Sequence, residues 1–74
     1  MTELTSSDLN ILLVEPSTTQ RKIIKNELNK ALIESIDEVQ TIEAAITRIG
    51  TVKPDLVISA LHLPDGSAMD LLQN

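Results

Sequence analysis

Two stretches of the chain hold apolar residues in near-continuous runs, and two others hold them at helical spacing. Ile11-Leu12-Leu13-Val14 is the first run. Leu56-Val57-Ile58, continued past Ser59 by Ala60 and Leu61, is the second. Glu15-Pro16 closes the first; Pro54 precedes the second and Pro64-Asp65-Gly66 follows it. Short apolar runs between such breakers read as strands buried on both faces, the kind found in parallel sheets covered by helices. After the first run, Ile24, Leu28 and Ala31 fall at i, i+4 and i+7 with Ile23 beside them. Arg21, Lys22, Lys25, Asn26, Glu27 and Asn29 take the other face. This predicts an amphipathic helix from about Thr18 to Leu32, opened by a capping-box pattern of Ser17 with Gln20. Ile42, Ala45, Ile46 and Ile49 repeat the spacing after Thr41, a candidate cap, and Gly50 stands where a C′ glycine belongs.

Glu34 to Gln40 holds Ile36 and Val39 among Glu34, Asp37 and Glu38. Val39 and Thr41 favour a strand, and the acids suit an edge, where charge discourages further pairing. Ser67, with Asp70 three residues on and Met69, Leu71 and Leu72 around it, predicts the start of a third helix. The order is strand, helix, strand, helix, strand, helix. Such alternation implies βαβ units with right-handed crossovers and a parallel sheet, α/β in class. Residues 1–8 are expected to be a flexible lead-in and 9–74 a single small domain.

Composition narrows the function. The 74-residue chain has a net charge of −5 and no Phe, Trp or Tyr. It lacks the basic footprint and stacking platforms of a nucleic-acid binder, and the basic patch that an anionic membrane attracts. There is no cysteine, which excludes disulfides and thiolate metal sites. Met1 to Asp8 is polar and acidic, unlike a signal peptide, and no apolar run nears the ~20 residues of a membrane span. A cytoplasmic location is expected.

In parallel α/β sheets, chemistry sits beyond the carboxyl ends of the strands. Ile11-Leu12-Leu13-Val14-Glu15, Ser17 through Leu28, Pro54-Asp55-Leu56-Val57-Ile58-Ser59-Ala60 and Leu63-Pro64 together resemble the receiver domain of two-component response regulators, most closely the single-domain chemotaxis type. The likeness covers Leu9 to Asn74. It implies a flavodoxin-like three-layer fold, of which this chain carries the amino-terminal βαβαβα portion, with the first and third strands adjacent at the switch point. It also implies a phosphorylation pocket in which two acids end the first strand, an aspartate on the third accepts the phosphoryl group, and the acids hold Mg²⁺.

Here those positions fall on Glu15, Pro16 and Ala60. Mg²⁺ takes hard oxygen ligands, and the acceptor must be a nucleophilic carboxylate able to form an acyl phosphate. Pro16 offers no side-chain oxygen and Ala60 no nucleophile. An engineered Asp→Ala change would account for Ala60 and not for Pro16, so divergence is the better reading. Ile42, where the family usually has glycine, and the absence of the family's fourth and fifth strands are further departures.

Neighbouring residues have plainer readings. Glu15 is expected to be a solvated strand-end carboxylate, and His62, in the loop near the pocket, lacks companions for a metal. Asp65 is expected to serve its Pro-Asp-Gly turn, and Asp55 lies at the wrong end of its strand. Ser17-Thr18-Thr19 reads as a helix cap, since flavin-phosphate loops need glycine. The basic group Arg21, Lys22 and Lys25 reads as a solvated helix face.

The sequence thus points to a non-enzymatic, phosphorylation-incompetent receiver-like domain without cofactor or metal, acting through protein contacts in bacterial signal transduction. The alternatives are a fragment or mutant of a phosphoacceptor regulator and, third, an FMN- or nucleotide-binding fragment. Leu56, Ile58 and Ala60 are expected to form an open apolar sheet edge, so a homodimer or domain-swapped form is anticipated.

Overall fold

Strand β1 (Asn10–Val14) is the spine of the sheet, with Ile11, Leu12, Leu13 and Val14 all buried. Fully burying side chains of this kind stabilises by ~1.5–3 kcal/mol each. The computed structural model describes residues 9–73, so the lead-in expected at Met1 to Asp8 lies outside the described residues. β1 pairs in parallel with β2 (Ser35–Val39) on one side and β3 (Leu56–Ser59) on the other, giving the order β2-β1-β3. The chain is therefore α/β with a three-stranded parallel sheet.

The register explains which residue serves which face. Leu13 lies opposite Glu38 and Ile58, and Leu12 opposite Asp37 and Val57. Alternation along a strand then sends Ile11, Leu13, Glu38, Leu56 and Ile58 to one face and Leu12, Val14, Asp37, Val39 and Val57 to the other. Helix α1 (Thr18–Lys30) covers the first, where Arg21 and Lys25 meet Glu38 at 3.5 and 3.1 Å. Helix α2 (Ile42–Val52) covers the second, where Arg48 meets Asp37 at 3.2 Å. There Ile42 and Ala45 join Leu12, Val14, Val39 and Leu63 in the core. Partly exposed ion pairs contribute ~0–1 kcal/mol each, so these orient the helices more than they hold them.

Helix ends follow local rules with two corrections. Ser17 and Thr41 cap α1 and α2, their side chains accepting the Gln20 and Ala44 N–H groups. α1 stops at Lys30, short of Leu32, because the Leu32 N–H donates to the Asn29 carbonyl and the Ile33 N–H to the Leu28 carbonyl. That is a Schellman turn, and it holds Leu32 at φ 65°. Gly50 does not end α2. The helix runs on to Val52, and Lys53 takes the left-handed position at φ 54°.

The segment after β3 departs most from expectation. The apolar run ends as strand at Ser59; it is not buried on both faces, since Leu56 and Val57 are 50% and 38% exposed and Leu61 is 58% exposed. His62 is not in an open loop but in β4 (His62–Leu63), antiparallel to β5 (Gly66–Ser67). A 3₁₀ segment, Ala68–Gln73, stands where a third α-helix was expected. Ser67 does cap it: its hydroxyl accepts the Met69 N–H, while Asp70 accepts the Ser67 N–H. Gly66 sits at φ 150°, and a Cβ there would overlap the Asp70 carboxylate and Ile42 Cδ1.

Asp65 does more than serve its turn. Its Oδ1 accepts the Ile42 N–H at 2.8 Å and its Oδ2 the Glu43 N–H at 3.0 Å, capping α2 from across the fold. Those two bonds, Ile42 first, hold its carboxyl below the usual value of 3.8. A lowered folded pKa stabilises above the unfolded pKa, and that stability is lost as pH falls through the folded pKa. Asp65→Ala is expected to lower the urea midpoint at neutral pH, with the gap to the parent protein narrowing as pH drops below about 3.8; parallel denaturation curves across that range check it. Leu32, 68% exposed, gives up little contact on replacement. Leu32→Gly is expected to stabilise by ~0.5–1 kcal/mol, the left-handed penalty less the entropy glycine adds to the unfolded chain, read by the same melts.

Candidate functional site

The parallel register sets the carboxyl ends of β1 and β3 side by side. Val14 lies opposite Ser59, and the Ala60 N–H donates to the Val14 carbonyl at 2.8 Å. Glu15 continues from Val14 and donates its own N–H to the Val39 carbonyl at 3.0 Å. Glu15, Pro16 and Ala60 therefore gather at one end of the sheet, with β2 adjoining.

Each of these residues has a structural occupation. The Glu15 carboxylate turns back on its own loop, Oε2 accepting the Ser17 N–H at 2.9 Å. Pro16 is half-buried and offers only its carbonyl. The Ala60 methyl packs against the core formed by Leu12, Val14, Val39, Ile42, Ala45 and Leu63. Ala60 lies just past the end of β3, half-buried against that core; Ile58 within the strand is also half-buried, while Leu56 and Val57 are exposed. The Ser59 hydroxyl donates to the Ala60 carbonyl at 2.8 Å and closes the strand end.

Arg21 is the residue that sequence reasoning undervalued. Its Nη1 donates to the Glu15 and Pro16 carbonyls at 2.8 and 3.2 Å, and its Nη2 to Thr18 Oγ1 at 3.1 Å. It staples the loop between β1 and α1 while its Nε faces Glu38. Of the basic group read as a solvated face, Arg21 and Lys25 are thus engaged. A signal was present: a cation in the first helical turn opposes the helix dipole, so it needs another partner there.

The remaining candidates disperse. His62 is exposed on β4, in register with Ser67. Both Asp65 oxygens are committed to α2, so it is no substitute acceptor. Asp55 lies at the opposite end, where its carboxylate accepts the Asn10 N–H and its N–H donates to the Asn10 carbonyl, both at 2.8 Å. Ser17 caps α1, and its hydroxyl accepts the Gln20 N–H at 3.2 Å. Among the described residues no group of three or more His, Asp or Glu is placed to hold a metal. None of the described helices is long and apolar enough to cross a membrane.

Two clefts lie elsewhere on the fold. A cleft of about 310 Å³ opens at the amino ends of the strands, between Asn10, Ser35, Asp37, Arg48 and Pro54. Another, about 320 Å³, lies along α2 by Thr41, Glu43 and Thr47. Neither touches Glu15, Pro16 or Ala60. Of the three positions at this end of the sheet, Glu15 carries a carboxylate, while Pro16 and Ala60 carry no ionisable side chain. No family model matches the chain, and no curated protein matches it.

Proposed function

We propose that this chain is the amino-terminal portion of a flavodoxin-like receiver domain that has lost phosphoryl chemistry and works by binding another protein in two-component-type signalling. One observation carries the reading. Ala60, at the position where the resemblance puts the phosphoacceptor, lies beside β1 and gives its methyl to the core. A methyl group cannot form an acyl phosphate.

The sheet order β2-β1-β3 and the meeting of Glu15, Pro16 and Ala60 at the carboxyl ends support the same reading. The single remaining carboxylate, Glu15, already accepts the Ser17 N–H, and one carboxylate is a poor cage for Mg²⁺, which needs several oxygen ligands in octahedral array. Neutral substitution at the pocket also removes the mutual repulsion that clustered acids bring to a strand end.

The test uses acetyl phosphate with Mg²⁺ and intact-mass spectrometry. The chain is expected to remain unmodified. The double variant Pro16→Asp with Ala60→Asp is expected to gain a hydroxylamine-labile phosphoryl group on residue 60 and to require Mg²⁺ for it. A phosphoryl group on any residue of the parent chain between Glu15 and Asp65 would overturn the reading.

A further inference from the structure

We propose that the cleft at the amino ends of the strands binds a small zwitterion, a free α-amino acid with an aliphatic side chain, between Asp37 and Arg48. This goes beyond the reading of Glu15, Pro16 and Ala60 and does not rest on it, because those residues lie at the other end of the sheet. The cleft holds about 310 Å³, and its walls come from β1, β2, α2 and Pro54, with no residue of β3 among them. Small-molecule sites run from about 300 to 1,000 Å³, so a ligand here is small.

The register builds the floor. Asn10 lies opposite Ser35 and Leu12 opposite Asp37, and alternation turns these side chains to the face that α2 covers. Farther along the same face stand Val14 and Val39, both in the core. The polar positions therefore gather at the amino ends. Arg48 and Val52 of α2 overhang them, and Pro54 closes the side. Leu12, Val52 and Pro54 supply the apolar lining that receives an aliphatic chain.

The ion pair selects the ligand. Arg48 Nε stands 3.2 Å from Asp37 Oδ2, and among the described residues neither side chain has another partner. A guanidinium has several N–H donors and a carboxylate several lone pairs, so one contact leaves most of both unused. The side chains are 47% and 29% exposed, within reach of a ligand. A lone cation entering the cleft meets Arg48, and a lone anion meets Asp37. A molecule whose ammonium and carboxylate share one carbon meets each with its opposite. The Ser35 hydroxyl and the Asn10 carboxamide, without a side-chain hydrogen bond among the described residues, add acceptors for the ammonium and donors for the carboxylate. The end of α2 favours the ammonium further. At the end of α1 the Leu28 and Asn29 carbonyls accept the N–H groups that follow; α2 turns at Lys53 with no such backbone bond among the described residues. Its last carbonyls carry the negative end of the helix dipole, and Val52 and Pro54 place that end at the cleft.

Amide-resolved nuclear magnetic resonance with L-leucine, isoamylamine, isocaproate and glycine as probes tests this. Isoamylamine lacks the carboxylate, isocaproate the ammonium and glycine the aliphatic chain. L-Leucine is expected to give saturable shifts at Asn10, Ser35, Asp37 and Val52. It is expected to bind ~10-fold or more tightly than each of the others, the worth of one hydrogen-bonded charge or one buried side chain. Arg48→Gln is expected to bind L-leucine no better than isoamylamine, with unchanged circular dichroism. No saturable shift from L-leucine at these residues overturns the proposal. So does equal binding of L-leucine and any other probe, since the cleft then reads only part of the molecule. Undiminished binding of L-leucine by Arg48→Gln overturns it as well. If Arg48→Gln fails to fold, the probes on the parent chain decide. Phosphoryl labelling reads the other end of the sheet, so failure of one proposal is not mistaken for failure of the other.

Discussion

The structure depends on the burial of Ile11-Leu12-Leu13-Val14. A strand that is apolar at every position needs cover on both faces and hydrogen-bond partners on both edges. α1 and α2 supply the faces; β2 and β3 supply the edges. The two acids of β2 follow from this geometry. Asp37 and Glu38 are consecutive, point oppositely, and each meets a cation on the helix covering its side. The requirement is met for β1; among the described residues no strand adjoins the outer side of β3, and its Leu56 and Val57 are exposed.

Side-chain to backbone bonds carry much of the remaining specification. Asp55 clamps the amino ends of β1 and β3 through both its carboxylate and its N–H. Arg21 ties down the loop after β1. Asp65 reaches back to the start of α2. Together they tie down the two ends of the sheet and the start of α2. Glu15 is satisfied locally, its carboxylate accepting the Ser17 N–H of its own turn.

Much of this was legible in the residues. The two apolar runs located β1 and β3, the acids of Glu34 to Glu38 marked an edge strand, and Ser17, Thr41 and Ser67 announced their helices through short-range capping chemistry. What failed did so for non-local reasons. Gly50 looked like a terminus because glycine favours that place, yet α2 continues and Lys53 accepts the left-handed turn. The run through Leu61 read as fully buried because hydrophobicity reports what a segment prefers, not whether covering residues are available. Leu61 is exposed and the strand is short. Asp65 capping Ile42 and Glu43 pairs residues far apart in the chain, so no local pattern records it. That Glu15, Pro16 and Ala60 meet at one end of the sheet follows from the order of the strands, while the engagement of Arg21 was hinted at only by its opposition to the helix dipole.

The central claim is that the carboxyl end of the sheet keeps the place of a phosphorylation pocket and binds no phosphoryl group. Amide-resolved nuclear magnetic resonance, with Mg²⁺ and fluoroberyllate titrated together as a mimic of the acyl phosphate, tests it most directly. The account predicts no saturable shift at Glu15, Ser17, Ala60 or Leu61. Saturable shifts centred on Ser17 and Ala60 would contradict it.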